Sequence, residues 1–178
     1  LLKIVQNILP SKVSCVYIRQ PEALGLGHAV LCAKQIVGDD PFAVILADDL
    51  ISHGTGVVRQ MVELYNRHHC SVIGVENISR EDTSSYGIVK ASPVSAGLYK
   101  MESIVEKPKP AQAPSTLAVV GRYILTPAIF DSLEKVRAGA SGEIQLTDGI
   151  ADLLRRETIY AYEFAGRRYD CGNKFGYL

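Results

Sequence analysis

The sequence predicts an α/β domain built on a mixed, mostly parallel β-sheet with helices packed on both faces. Strand-like and helix-like segments alternate through the first half of the chain, and this alternation is typical of parallel sheets whose strands are connected by helices. One segment, Phe42 to Ala47, is an unbroken apolar run, as in strands that are covered on both sides. The second half contains mostly strand-like segments, which indicates an antiparallel or mixed extension of the sheet.

The elements of the first half follow from the placement of apolar residues. A strand is predicted at Val13 to Ile18, which is rich in β-branched and aromatic residues. After the turn-forming segment Pro21 to Gly27, apolar residues recur on one helical face between Ala29 and Ile36. A second helical stripe runs from Val57 to Tyr65 and precedes a strand at Ser71 to Val75. Together with the apolar run, these segments give the order strand–helix–strand–helix–strand.

The second half is predicted to have little helix between its strands. The strands lie at Gly87 to Lys90, Tyr99 to Glu106, Leu117 to Leu125, Ile159 to Phe164 and Arg168 to Tyr169. A helix is predicted to begin with Thr126 as its N-cap and Pro127 at its first position, and a last helix covers Gln145 to Leu154. With 178 residues, no internal repeat and no linker, residues 1–178 are predicted to form a single domain.

Composition and charge argue against several classes of function. The 19 basic and 19 acidic residues balance to a formal net charge of zero, which disfavours a nucleic-acid polymer as partner. The apolar runs are too short to cross a bilayer and no signal peptide is visible. The four cysteines form no Cys-x-x-Cys pair, so we expect reduced thiols in a cytoplasmic protein. Neither a nucleophile elbow nor a Walker loop supports a hydrolase or a kinase.

Acidic residues follow two of the predicted strands, at the edge where open α/β sheets bind ligands. Asp48 and Asp49 end the apolar run, and Asp170 follows the last predicted strand. Two such carboxylates from different strands are able to share one divalent cation beside phosphates. The alternative is that an aspartate after a strand only caps or turns the chain.

A glycine-containing segment, Gly25 to Ala29, lies between a predicted strand and a predicted helix. Glycines there allow a backbone to approach a ligand, and the start of a helix offers free N–H groups. Val30 stands where a dinucleotide fingerprint has its third glycine, and no ribose-binding acid follows, so an oxidoreductase is not supported. His28, within this segment, is interpreted as a structural histidine.

Charged residues also follow a strand at Glu106-Lys107-Pro108. A lysine at such a point is able to neutralise a phosphate, and a neighbouring carboxylate accepts hydrogen bonds from sugar hydroxyls. The alternative is a solvated charge pair before a turn. Glu143 and Asp148 are further candidates, although acids are also common at helix starts because the helix dipole favours them.

Seven segments, taken in order, resemble one family. They are Gln20 to Ala29, Leu46 to Asp49, Ser85 to Val89, Val105 to Pro108, Val120 to Tyr123, Gly142 to Asp148 and Tyr169 to Lys174. On these segments the sequence resembles the bacterial-type UTP–glucose-1-phosphate uridylyltransferases, the UDP-glucose pyrophosphorylases, from about residue 10 to the end. The resemblance implies a Rossmann-like nucleotidyltransferase fold that is incomplete at its amino-terminal end. The nucleotide loop and the carboxy-terminal helices of the family have no counterpart in these 178 residues.

The resemblance also implies roles for individual residues. Gln20 and Gly25 correspond to positions that contact the uracil base, and Asp48 and Asp170 correspond to the carboxylates that hold Mg²⁺. Gly87 and Glu106 correspond to glucose contacts, and Lys107 corresponds to a contact with the sugar phosphate. Gly121 lies on the strand that closes the sugar pocket. Asp48, Asp170 and Lys107 are thus the expected catalytic residues. Asp49 has no assigned role, because the family tolerates other residues after the metal-binding acid.

The implied reaction joins UTP and glucose 1-phosphate. A phosphate oxygen of glucose 1-phosphate attacks the α-phosphorus of UTP in line, and pyrophosphate leaves as UDP-glucose forms. A phosphate monoester has a second pKa of about 6, so the nucleophile needs no general base at neutral pH. Mg²⁺ on the two aspartates, together with Lys107, would offset the repulsion between the two polyanions. The resemblance further implies a homo-oligomer for the full-length enzyme.

Two other functions are considered beside this one. A dTDP-glucose or CDP-glucose pyrophosphorylase shares the fold, but usually carries Asp-Thr-Gly-Thr where this chain has Asp170-Cys171-Gly172-Asn173. A non-catalytic sugar-nucleotide-binding module is the second alternative. Because the family's triphosphate-binding loop has no counterpart here, the isolated chain is expected to be inactive or nearly so. An open central strand position is also expected to expose apolar surface and strand edges.

Overall fold

The structure is a computed structural model that describes residues 13–139 and 142–172. Its helices are α1 (Leu26–Cys32), α2 (Lys34–Val37), α3 (Val57–His68), α4 (Ala128–Leu133) and α5 (Leu146–Leu153), with 3₁₀ turns at Arg80–Ser85 and Pro110–Gln112. Its strands are β1 (Phe42–Ile45), β2 (Asp49–Ser52), β3 (Val72–Asn77), β4 (Gly87–Ser95), β5 (Leu98–Glu106), β6 (Leu117–Leu125), β7 (Tyr160–Glu163) and β8 (Arg167–Asp170). Within these ranges no helix is long and apolar enough to cross a membrane.

Six of the strands form one mixed sheet in the order β1-β6-β3-β7-β5-β4, and β2 and β8 form a separate antiparallel pair. Among the described strands, β3 and β7 are the one parallel pair of neighbours. Strands β1, β3, β7 and β4 nevertheless run in one direction, and strands β6 and β5 run in the opposite direction. The predicted mixed sheet is therefore correct, but its neighbouring strands are mostly antiparallel.

Helices cover both faces of this sheet, as the sequence predicts. The alternation of side chains along β6 shows the two faces: Val119 and Tyr123 pack into the cluster that includes α4 and α5, whereas Val120 and Ile124 pack with Met61 of α3. Met61 is fully buried. Burying a side chain of this size stabilises the fold by about 1.5–3 kcal/mol, so both faces contribute to stability.

Two strand predictions in the first half are wrong in part. Within the described residues, Val13 to Ile18 pairs with no strand, and its side chains are exposed, with Tyr17 at 91%. The run Phe42 to Ala47 does contain β1, but the strand pairs with β6 alone among the described strands. Its outward residues Ala43 and Ile45 are exposed. Apolar composition predicted strands here, but it does not reveal which side of a strand is covered.

The start of α4 also differs from the prediction. Thr126 does not cap the helix through its side chain, because its hydroxyl donates a hydrogen bond to Glu157 at 2.8 Å. The carbonyl of Thr126 accepts the first bond of the helix, from the N–H of Ile129 at 3.2 Å. Pro127 has helical torsion angles, with φ −62° and ψ −17°, but it is the N-cap residue of α4. The helix therefore begins at Ala128, one residue later than predicted, and backbone hydrogen bonds hold its start.

Candidate active site

A cleft of about 310 Å³ lies where β4, β5, β6 and α5 meet the β2–β8 pair. Its volume is within the range of small-molecule sites. Six of the predicted site residues line it, and they are Asp48, Gly87, Glu106, Lys107, Gly121 and Asp170. The structure thus brings together residues that are far apart in the sequence, from two different sheets.

The two predicted metal-binding carboxylates approach one another at the end of β8. Asp48 lies in the turn between β1 and β2, and its carbonyl accepts a hydrogen bond from the N–H of Cys171 at 2.6 Å. A β-carbon placed on Gly172 would lie 3.1 Å from Oδ1 of Asp170 and 3.5 Å from Oδ2 of Asp48. Both carboxylates therefore face the same small space beside Gly172.

The donor set at this point fits a hard cation that also binds phosphate. Among the described residues, no group of three or more His, Cys, Asp or Glu side chains is arranged to hold a metal ion. Two carboxylates alone do not make a closed zinc site, which takes four protein ligands. Mg²⁺ is usually bound by one or two carboxylates and completes its shell with water and substrate phosphates. Asp48 and Asp170 match that pattern.

The side chain of Asp49 points away from this space and stabilises the fold. Its side chain is 8% exposed and forms an ion pair with Arg168. Its Oδ2 atom accepts a hydrogen bond from the N–H of Gly121 at 2.7 Å. Asp49 thus links β2 to both β8 and β6, while its neighbour Asp48 remains exposed in the turn.

Arg168 is the main residue that sequence reasoning missed. Its side chain is 8% exposed and contacts Asp49, Glu76 and Asp170. Burial by itself would lower the pKa of Arg168, but hydrogen bonds with Tyr86 and Asp49 and the charge of Asp49 raise it above its ordinary value. The guanidinium therefore stays charged. In the sequence it differs in no way from the neighbouring Arg167, which is exposed.

The opposite wall of the cleft carries Glu106 and Lys107. Glu106 pairs with Gly87 across β4 and β5, and its Oε2 atom accepts a hydrogen bond from the hydroxyl of Thr147 at 2.9 Å. The Nζ atom of Lys107 lies 3.8 Å from Oε1 of Glu106, and the lysine side chain is 59% exposed. The lysine is therefore free to reach an anion that enters the cleft.

Lys107 has an unusual backbone conformation. Its φ is +43°, although the residue before a proline normally adopts an extended conformation. Its N–H donates to the carbonyl of Tyr86 at 3.0 Å, which fixes the turn after β5. A left-handed residue with a side chain costs about 1–2 kcal/mol, and such strain is concentrated at functional sites. The conformation is consistent with a functional role for this lysine.

Tyr123 is a second residue that the sequence did not single out. It lines the cleft from β6 and is 6% exposed. Burial, followed by the charges of Glu106, Asp49 and Asp48, raises the pKa of Tyr123. Its hydroxyl therefore remains protonated and available as a hydrogen-bond donor. The signal in the sequence was its alternation with Gly121 along one strand, which places both on the same face.

Gln20 and Gly25, the predicted uracil-reading residues, lie outside the lining of the cleft. The side-chain nitrogen of Gln20 lies 3.1 Å from the carbonyl oxygen of Gly25 and 3.0 Å from Nδ1 of His28. Gly25 has φ +92°, and a β-carbon there would be 2.9 Å from the β-carbon of Glu143. Only glycine fits this close packing at a positive φ. His28 contacts the side chains of Gln20 and Cys32, and its structural role stays a prediction.

Glu143 and Asp148 do not line the cleft, but two of their neighbours do. The side-chain amide of Gln145 donates to Glu143, and Gln145 reaches the cleft together with Thr147. Asp148 is exposed in the first turn of α5, where the helix dipole favours an acid. The segment therefore connects the Gly25 turn with the wall that holds Glu106.

The hydrogen bond between Thr147 and Glu106 is open to a direct test. Replacing Thr147 by valine removes the hydroxyl donor at a position that is 8% exposed. We expect the free energy of unfolding to fall by about 1 kcal/mol, as measured by urea denaturation. Thr147→Ser is the matched control, because it retains the donor. Equal stability of the valine variant and the parent chain would show that the bond contributes nothing.

Comparison with known proteins identifies the class. A family model described as Nucleotidyl transferase matches residues 3–178, and the chain therefore belongs to the nucleotidyl transferase family. The mixed sheet with helices on both faces and the acid-lined cleft at its edge agree with that assignment. The predicted nucleotidyltransferase fold is confirmed.

Within this family, the chain is similar to UTP–glucose-1-phosphate uridylyltransferases. The Pseudomonas aeruginosa relative is 45% identical over 164 residues, which are 91% of this chain and 59% of the relative. The Staphylococcus epidermidis relative is 46% identical over 162 residues, 91% of this chain and 56% of the relative. A structure of UDP-glucose pyrophosphorylase complexed with UDP-glucose superimposes with a TM-score of 0.88 at 46% identity, covering 91% of this chain and 62% of that chain. The predicted resemblance is confirmed, and the chain spans about 60% of the length of these proteins.

Proposed function

We propose that this chain carries the sugar-phosphate and metal-binding part of a UTP–glucose-1-phosphate uridylyltransferase, which forms UDP-glucose and pyrophosphate. The observation that carries the proposal is the arrangement of charge in the cleft. Asp48 and Asp170 face one small space, and Glu106 and Lys107 line the other wall. The similarity to relatives named as uridylyltransferases supports this choice of reaction.

The sugar side of the proposed site consists of Glu106, Lys107 and two glycines. Glu106 is held by Thr147 and is suited to accept hydrogen bonds from glucose hydroxyls. Lys107 would pair with the phosphate of glucose 1-phosphate as a compact positive charge. Gly87 and Gly121 line the same cleft, and the proposal places the sugar ring against their backbone.

The phosphate side depends on Asp48 and Asp170, which would hold Mg²⁺. When bound, the ion would supply positive charge that offsets the repulsion between the two substrates and stabilises charge in the transition state. Glucose 1-phosphate is already largely dianionic at neutral pH, because the second pKa of a phosphate monoester is about 6. The residues of the chain therefore need to orient and neutralise the reactants and not to remove a proton.

Four further proposals accompany this function. The protein is proposed to be cytoplasmic and bacterial, and the relatives that the comparison names come from bacteria. A homo-oligomer of the full-length enzyme and a single domain over residues 1–178 remain predictions from the sequence.

The isolated chain is predicted to be nearly inactive. Strand β1 is an edge strand among the described residues, with Ile45 56% exposed. An apolar groove of about 360 Å³ lies between β1 and helices α1 and α2. Because one side of the sheet beside the cleft is uncovered by residues 13–139 and 142–172, the nucleotide half of the site is expected to be incomplete. Turnover, measured as pyrophosphate exchange, should be far below that of the full-length Pseudomonas aeruginosa relative assayed in parallel. Comparable turnover would contradict this prediction.

Binding separates the proposed function from the related pyrophosphorylases. Calorimetry with UDP-glucose and Mg²⁺ is expected to show specific binding by the isolated chain, and glucose 1-phosphate should compete with it. Tighter binding of dTDP-glucose or CDP-glucose would favour the related pyrophosphorylases. Absence of binding by a chain that is shown to be folded by circular dichroism would overturn the proposal.

A further inference from the structure

Arg168 is buried beside Asp49 and Asp170, and the reaction proposed above gives it no task. We infer that Arg168 is a positioning residue that, together with Tyr86, fixes the carboxylate of Asp170 for binding a divalent cation. The inference rests on the proposed function, because it assumes that Asp170 is a metal ligand. It concerns residues of this chain for which the resemblance implied no role.

The contacts of Arg168 form a closed network around Asp170. Its Nε atom donates to Asp49, and its Nη2 atom lies 3.7 Å from Oδ2 of Asp170. Its Nη1 atom donates to the hydroxyl of Tyr86 at 3.4 Å, and that hydroxyl donates to Oδ2 of Asp170 at 3.2 Å. The guanidinium also stacks over the Tyr86 ring at 5.1 Å. Arg168 thus contacts Asp170 both directly and through the hydroxyl of Tyr86.

This network leaves one oxygen of Asp170 directed at the proposed cation. Oδ2 faces Arg168 and Tyr86, whereas Oδ1 accepts the N–H of Gly172 at 2.9 Å and lies on the side of Asp48. A carboxylate oxygen has a second lone pair, so Oδ1 retains capacity for a metal ion. Residues that hold a metal ligand in this way typically change metal affinity about 10–100-fold when they are mutated.

Charge supports the same assignment. Within the part of the chain that the structure describes, three carboxylates lie beside the guanidinium of Arg168, namely Asp49, Glu76 and Asp170, and Arg122 donates to backbone carbonyls. Asp49 is paired with Arg168 and is equally buried. The single positive charge of Arg168 does not offset all of these carboxylates, and a divalent cation beside Asp170 would reduce the remaining negative charge.

Arg168 is unsuited to bind substrate itself. All three of its nitrogens already have partners, and its side chain is 8% exposed. It therefore acts through Asp170. A lysine would keep the positive charge near Asp49 but, with a single ammonium group, would not reach Tyr86 and Asp170 in the same fixed geometry.

The test measures Mn²⁺ binding to the chain by electron paramagnetic resonance in the presence of saturating UDP-glucose. Arg168→Lys is expected to weaken Mn²⁺ binding by about tenfold or more. UDP-glucose affinity in EDTA should be unchanged, because the sugar side of the cleft keeps its contacts. Tyr86→Phe removes one hydroxyl, keeps the ring under the guanidinium, and should weaken Mn²⁺ binding in the same direction. Arg167→Lys, one residue away on an exposed side chain, is the matched control and should bind as the parent does.

Each outcome decides the inference. Parent-like Mn²⁺ affinity in a folded Arg168→Lys chain would overturn it, and so would an equal loss of UDP-glucose affinity in EDTA, which indicates a general structural role. If Arg168→Lys does not fold, Tyr86→Phe decides by the same criteria. A parent chain that binds UDP-glucose but not Mn²⁺ would remove the metal site and this inference while leaving the sugar side intact. A parent chain that binds neither would overturn the proposed function as well.

Discussion

Replacing Asp48 by asparagine is expected to reduce Mn²⁺ affinity in the presence of UDP-glucose by at least about 100-fold. Residues behind a metal ligand typically account for 10–100-fold, and loss of a ligand itself should reach or exceed the upper end of that range. Asp48 and Asp170 are the carboxylates that face the space beside Gly172, so neutralising one removes half of the charge there. The same change should abolish Mg²⁺-dependent turnover in a full-length enzyme that carries it.

Stability is expected to distinguish this effect from misfolding. Asp48 is exposed in a turn, and substitutions at such positions usually change the free energy of unfolding by less than about 0.5 kcal/mol. Asp40→Asn is the matched control. Asp40 is also exposed and precedes β1, the strand that Asp48 follows, but it lies outside the cleft. Full retention of Mn²⁺ binding by the Asp48→Asn chain would exclude Asp48 from the site.

Replacing Gly121 by alanine is expected to destabilise the chain by about 1–3 kcal/mol, the usual cost of overpacking. A β-carbon at this position would lie 2.5 Å from the β-carbon of Leu46 and 2.6 Å from Oδ2 of Asp49. Because Asp49 is bonded to the N–H of Gly121, the clash would also displace the turn that carries Asp48. Urea denaturation measures the loss of stability, and calorimetry should show weaker UDP-glucose binding.

Gly54→Ala provides the matched control for this change. A β-carbon at Gly54 meets no atom within 4 Å, and an unhindered alanine generally costs nothing or stabilises a chain slightly. If Gly121→Ala were as stable as Gly54→Ala, the close approach of β6 to Leu46 would not be a constraint on the site.

The position of the cleft was predictable because strand ends are visible in the sequence. Asp48 and Asp170 each follow a short apolar or mixed segment, and Glu106 ends β5, whose predicted and observed ranges nearly coincide. The rule that ligands bind beyond the carboxyl ends of strands selects these residues singly, but β1 and β5 run in opposite directions, so the rule does not explain why their ends meet at one cleft. What the rule does not supply is the pairing of β2 with β8, which sets Asp49 opposite Asp170 and brings the two carboxylates within reach of each other.

Burial was the part of the structure that the sequence did not predict. Arg167 and Arg168 are alike in the sequence, yet one is exposed and the other lies among three carboxylates. Val13 to Ile18 has strand-like composition but is exposed and unpaired among the described residues. In both cases the outcome depends on which distant segment covers the side chains, and local composition contains no information on that.

The separation of β2 and β8 from the six-stranded sheet has a mechanical consequence. Of the proposed metal ligands, Asp170 lies in the two-stranded sheet and Asp48 directly precedes it. Glu106 ends β5 in the six-stranded sheet, and Lys107 follows it. A sugar nucleotide that contacted residues of both sheets would connect the two sheets. Part of the binding free energy of the sugar nucleotide would then be used to hold the two sheets in a fixed relative position. Substitutions where the two sheets meet would therefore alter the affinity for the sugar nucleotide without contacting it.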